Sequence, residues 1–206
     1  MSNRVTYLIS SCKGYEAPLA RLLASLPADA HAFVVVGGHE RRRPRLSASI
    51  AHVEVSHNSY DYTALIEYIE GDWTFFDHLF LLHDTMELGP DAARLIHQAP
   101  ANAKATAVWG GECNLGLYRA DYLHECRAQI LGLKNCSKRY AVEMEGFLWR
   151  QLPESERASY PGDIAIGEAE QAYAGAERQR VHYAGVDITK WKANWGQTWP
   201  PSVVTP

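Results

Sequence analysis

The stretch Asp77 to Pro90, DHLFLLHDTMELGP, decides the fold. Its apolar run, Leu79 to Leu82, ends abruptly in His83-Asp84-Thr85, and Gly89-Pro90 then opens a new helical pattern. A short continuous apolar run reads as a central strand buried on both faces. Polar residues at the carboxyl end of such a strand stand where open α/β sheets bind ligands. The competing role for Asp84 is a turn cap, because aspartate is common in turns.

The residues before this strand repeat the same unit. Val5 to Ile9 reads as a first strand and Ser10 to Gly14 as the loop leaving it. Leu19, Leu22, Leu23 and Leu26 then fall at helical spacing behind Pro18. Phe33 to Val36 is a second apolar run broken by Gly37-Gly38, and Ile50 to Val55 a third. Tyr62, Leu65, Ile66 and Ile69 form another helical face, with Asp61 as its cap and Gly71 at its end. Strands alternating with helices predict an α/β fold with a mainly parallel central sheet and helices on both faces, Rossmann-like. The ligand edge then collects Ser10 to Lys13, Gly37 to Glu40, Ser56 to Asp61 and His83 to Thr85.

The second half is less regular. Ala92 to Ala99 continues one apolar face behind Pro90, Ala105 to Trp109 reads as a strand, and Asp121 to Leu131 and Val142 to Leu152 as helices. The stretch Gly167 to Arg180 fits either a helix or a loop, and Trp191, Trp195 and Trp199 occur in a tail without regular pattern.

Composition sets the outer bounds. A chain of 206 residues suits one α/β domain, and 47% hydrophobic with 21% charged residues argues against long disorder. A net charge of -4 counts against a nucleic-acid binder that depends on phosphate contacts, and the basic run Arg41 to Arg45 reads as a solvated loop. Cys12, Cys113, Cys126 and Cys136 show no Cys-x-x-Cys spacing, which argues against structural zinc held by thiolates. No apolar run is long enough to span a bilayer, and the first residues have no signal-peptide core. A cytoplasmic location with reduced thiols is the expectation.

Taken in order from Val5 to about Trp195, these features resemble the GT-A fold of nucleotide-sugar-dependent glycosyltransferases. In that family a nucleotide-binding half ends in an Asp-x-Asp motif after a buried strand, and LFLLHDTMELGPD resembles this segment. Asp84 matches the last aspartate, the usual metal ligand, while Leu82 stands where the first would be. The resemblance implies one domain, residues 1–100 binding the nucleotide and 101–206 the acceptor and metal. It also implies a divalent cation, manganese in the usual case, which neutralises the charge developing on the leaving diphosphate. His182-Tyr183-Ala184-Gly185 followed by Lys190-Trp191 is similar to the carboxyl-terminal signature of some retaining members, in which the histidine binds manganese and the lysine contacts the diphosphate. The interval from Gly185 to Lys190 is longer than in their pattern.

Further site residues follow from the same resemblance. Ser10, Ser11 and Cys12 resemble the loop that meets the nucleotide base; Asn58 to Asp61 resembles a segment that meets base or ribose, with His83 beside Asp84 on the donor side. Gly111 and Asn114, within GGECNLGLYRADYL, match the lining of the donor and acceptor pocket. Glu143 and Glu145 in AVEMEGFLWRQL resemble the acidic pair that houses the catalytic base of inverting members, placed at a helix start where they point in different directions. The expected activity is transfer of a sugar from a nucleotide donor, UDP-linked, to a glycan, lipid-linked or small-molecule acceptor. The alternative is a non-catalytic nucleotide- or sugar-binding relative. A nucleotidyltransferase would carry a glycine-rich basic loop after its first strand, and Ser10 to Gly14 offers one lysine and one glycine.

Overall fold

The computed structural model describes residues 5–40, 44–73, 76–108, 115–168 and 176–193. Of the sequence expectations, Gly111, Asn114, Trp195, Trp199 and most of the basic run at 41–45 lie outside these residues. The chain runs β1 (Val5–Cys12), α1 (Glu16–Ser25), β2 (His31–Gly37), β3 (Arg45–Leu46), β4 (Ile50–Glu54), α2 (Thr63–Glu70) and β5 (His78–His83). It continues as β6 (Met86–Leu88), α3 (Ala92–Ile96), β7 (Ala105–Ala107), β8 (Gly116–Arg119), α4 (Ala120–Glu125), α5 (Arg127–Leu131), α6 (Lys138–Glu143) and α7 (Phe147–Arg150). The last strands are β9 (Arg157–Ser159), β10 (Ile164–Glu168), β11 (Ala176–Tyr183) and β12 (Ile188–Ala193).

The large sheet has the order β3-β4-β2-β1-β5-β8-β7-β9. Its centre, β4-β2-β1-β5, is parallel, with Ser10 opposite His83 and Cys12 opposite Gly37. The apolar run of β5 is buried as its pattern requires, Leu79 and Phe80 completely. Alternate residues feed two cores. Leu8, Leu79 and Leu81 pack with Leu65, Ile66 and Ile69 of α2 and with α4 to α7. Tyr7, Ile9, Phe80 and Leu82 face the other way, against Leu19 and Leu22 of α1 and Ile96 of α3. Helices therefore cover both faces, as the alternating pattern implies.

A second sheet is the main departure. Strands β10-β11-β12-β6 form an antiparallel sheet that closes over the α1 side. The stretch expected as a helix or loop, 167–180, is strand at both its described ends. The reason lies downstream: Val181, Tyr183 and Ile188 alternate with polar residues and bury against Met86 and Leu88, and that non-local pairing sets the local structure. Two helix expectations also change. The segment from Asp121 to Leu131 divides at Cys126, whose amide still reaches the Tyr122 carbonyl at 3.1 Å. The helix expected from Val142 starts earlier, at Lys138, where the Ser137 hydroxyl accepts from the Tyr140 amide, and it breaks at Gly146, which takes a left-handed φ of 85°. Glu143 is thus the last residue of a helix, not part of a first turn, and Glu145 lies in the turn that follows.

Candidate functional site

The carboxyl ends of β1, β2 and β5 meet at one edge, and the polar residues there are buried. Ser10, Ser11, His83, Asp84 and Thr85 are each under 8% exposed. Strand β1 runs farther than its apolar residues suggest, so Ser10 to Cys12 are ladder residues, not a loop. Their side chains alternate between the two faces of the sheet.

Ser10 faces α2. Its hydroxyl donates to the Asp61 carbonyl at 2.7 Å and accepts from the Ala64 amide at 3.0 Å. Ser10 thereby caps α2 from a neighbouring strand, the task the sequence assigns to Asp61. Asn58 comes to the same edge, its side chain close enough to the Cys12 thiol to favour the charged form slightly. Gly37 makes this approach possible: a Cβ there would stand 2.6 Å from the His57 carbonyl and 3.2 Å from the Asn58 Cα. Burial, with the nearby Asp84 carboxylate adding to it, raises the Cys12 thiol far above its ordinary range, so it remains a neutral thiol.

On the opposite face the Ser11 hydroxyl donates to Asp84 Oδ2 at 2.8 Å, and the backbone amides of Cys12 and Thr85 lie close enough to the same carboxylate to favour its charge. These contacts oppose the cost of taking a charge out of water. Burial nevertheless dominates and, helped by the charge of Asp61, pushes Asp84 up to about 7. Tyr15, which the sequence does not mark, is buried near this carboxylate, and burial first and Asp84 second raise its phenol. Its only sequence signal is its position directly after the Lys13-Gly14 turn.

His83 is buried with Nδ1 3.0 Å from the Thr85 hydroxyl. Burial lowers it to about 4, an effect that Asp61 opposes and Lys190 reinforces, so the ring is neutral at physiological pH. Lys190 arrives from β12, opposite Met86 in the ladder, and the Trp191 amide donates to the Thr85 carbonyl at 2.9 Å, fixing β12 to the edge. Ser10, Ser11, Cys12, Asn58, Asp61, His83, Asp84 and Lys190, eight positions expected at the donor site, are thus neighbours in space.

His182 is placed differently. It stands between the buried Val181 and Tyr183, on the opposite face of β11 from Val181 and its partner Lys190. Its Nδ1 is 3.1 Å from the Thr189 hydroxyl and its Nε2 3.8 Å from Asp187 Oδ1. Among the described residues neither Asp84 nor His182 belongs to a group of three potential ligand residues close enough to share an ion. Glu143 is exposed and ion-paired with Arg139 at 2.9 Å, whereas Glu145 is half-buried. Helix α6 is tied to the segment that follows Asn58 and Asp61, because the Tyr62 hydroxyl donates to the Ala141 carbonyl at 3.3 Å.

No protein-family model and no curated protein sequence matches the chain. Among solved structures it is similar to the glycosyltransferase GlyE of Streptococcus pneumoniae TIGR4, at 10% identity and a TM-score of 0.50. The match covers 77% of this chain and 45% of that one, so the chain spans less than half of its neighbour's length. The fold is glycosyltransferase-like. No helix of the described residues is long and apolar enough to cross a membrane.

Proposed function

We propose that the chain is a GT-A-type glycosyltransferase domain that binds a nucleotide-sugar donor, UDP-linked, at the carboxyl edge of β1, β2 and β5. The observation that carries this is the convergence of the buried Ser11 and Asp84 with the half-buried Asn58, Asp61 and Lys190 on one edge, from segments up to 179 positions apart. Residues 1–100 supply the nucleotide side, and 101–206 supply Lys190 and the acceptor side. Asn58 and Asp61 would meet the base or ribose with Ser10 to Cys12, and Lys190 would meet the diphosphate.

Departure of a nucleoside diphosphate leaves negative charge on its oxygens, and the acceptor hydroxyl must lose a proton as it attacks the sugar. Lys190 would serve the first task. Glu145, which is half-buried, suits the second better than the exposed Glu143. A divalent cation such as manganese would supply further neutralisation of the diphosphate when bound. Asp84 is the residue that would hold it, but the fit is poor: one carboxylate holds a metal weakly, and His182 would have to leave Asp187 and Thr189 to join it.

The non-catalytic alternative is favoured by Leu82, which is 2% exposed and packed into the core where the motif has its first aspartate. Incubation of the protein with UDP-sugars, with release of UDP followed by chromatography, separates the two. Slow UDP release that Glu145→Gln abolishes and Glu143→Gln leaves within threefold supports the enzyme. No release from any UDP-sugar, together with measurable UDP binding, supports the binding role.

A further inference from the structure

A second cluster of titratable side chains lies outside the donor edge. His57, Glu67 and Glu70 place one ligand atom each within 4.8 Å of one another. His57 is 5% and Glu67 1% exposed, while Glu70 is at the surface. Two of them are three residues apart on α2 and so share a helix face; the third comes from the loop after β4. The His57 ring is oriented from behind, because its Nδ1 is 3.2 Å from the Ser59 hydroxyl, which in turn accepts from the Asn135 amide at 2.9 Å. A hydrogen bond on one ring nitrogen, turning the other toward carboxylates, is the arrangement that supports metal-ligating histidines.

Glu70 already draws a cation. Lys134, next to Asn135, places its ammonium 2.7 Å from both oxygens of Glu70. An ammonium on a long exposed side chain can be displaced by a divalent ion, which binds all three ligands at once.

We propose that His57, Glu67 and Glu70 form a zinc-binding site. One imidazole and two carboxylates suit a borderline cation of low coordination number, whereas calcium and magnesium require six or more oxygen ligands. Three protein ligands leave a position for water. The ion would clamp the loop that carries Asn58 and Asp61 onto α2. The inference does not depend on the glycosyltransferase proposal, and its test reads metal binding alone.

The test uses the whole chain, freed of metal with chelator and dialysed, then titrated with zinc chloride by calorimetry. One equivalent of zinc should bind and raise Tm by roughly 4 °C or more when zinc is in hundredfold excess over Kd. Glu70→Ala, at an exposed position, should keep the metal-free Tm within about 2 °C of wild type and weaken zinc at least tenfold. Lys134→Ala should tighten zinc, because the competing ammonium is gone. Absence of a stoichiometric binding event would overturn the proposal. So would zinc binding that neither Glu70→Ala nor Lys134→Ala alters, since the ion would then sit on other ligands.

Discussion

Replacing Asp84 by asparagine isolates what burying this carboxylate costs. The group protonates at about 7 in the folded chain against an ordinary 3.8, chiefly because it is out of water. Its folded value is raised, so the folded state binds more protons than the unfolded state between these limits, and stability falls as pH rises through them. The gap of about 3 pH units corresponds to about 4 kcal/mol at 1.36 kcal/mol per unit. Asparagine carries no such charge, but its amide group faces the backbone donors of Cys12 and Thr85 in one of two orientations, at a pH-independent cost of about 1–3 kcal/mol. Between pH 4.5 and 8.5 the stability of Asp84→Asn relative to wild type should therefore rise by about 3 kcal/mol, or roughly 6–12 °C in Tm for a chain of this size. Urea denaturation of both proteins at the two pH values measures it. A difference that does not vary with pH, or a variant that weakens relative to wild type on going to pH 8.5, would refute the assignment of a buried, destabilised carboxylate. A residue that costs stability is the pattern expected of a functional group, and the same variant should lose UDP release.

Other consequences are specific to single contacts. Ser10→Ala removes both the cap of α2 and the bond to the Asp61 carbonyl, and should lower stability by about 1–3 kcal/mol in urea denaturation; an effect below about 0.5 kcal/mol would mean that water replaces the hydroxyl. Lys190→Met should weaken UDP about tenfold while leaving uridine binding unchanged, as competitive calorimetry would show; equal loss of both would place Lys190 away from the phosphates. For the acidic pair, Glu145→Gln and Glu143→Gln should differ sharply in UDP release with unchanged Tm, and small equal effects would remove both from the base role.

The centre of the fold was legible because its signals are local. The apolar run at Leu79 to Leu82, the helical spacing of Leu65, Ile66 and Ile69, and the glycines after β2 each follow from a neighbouring residue's needs. What the described strands β10 to β12 become depends instead on β6, about eighty to one hundred positions away in sequence, and no local pattern carries that pairing. The polar carboxyl edge of the sheet was legible as a set of positions, since polar residues ending buried strands are conspicuous, but its wiring was not. Nothing around Ser10 indicates that it, and not Asp61, caps α2, because the cap crosses from one strand to another segment. Likewise the orientation of His182 is fixed by the strand register that pairs Lys190 with Val181, which a His-x-x-Gly spacing does not encode. The group formed by His57, Glu67 and Glu70 was hidden for a related reason: Glu67 stands in a helix whose residues from Thr63 to Ile69 are all buried, which its apolar spacing alone does not announce.

The central claim is that the carboxyl edge of β1, β2 and β5 binds a nucleotide. Its most direct test is calorimetric titration of the wild-type chain with UDP and with GDP, each with and without manganese, repeated for Lys190→Met. Saturable binding of UDP in preference to GDP, weakened in the variant and accompanied by about 2.7 kcal/mol of stabilisation at a hundredfold excess over Kd, is the predicted result. Absence of binding by either nucleotide in every condition would contradict the claim.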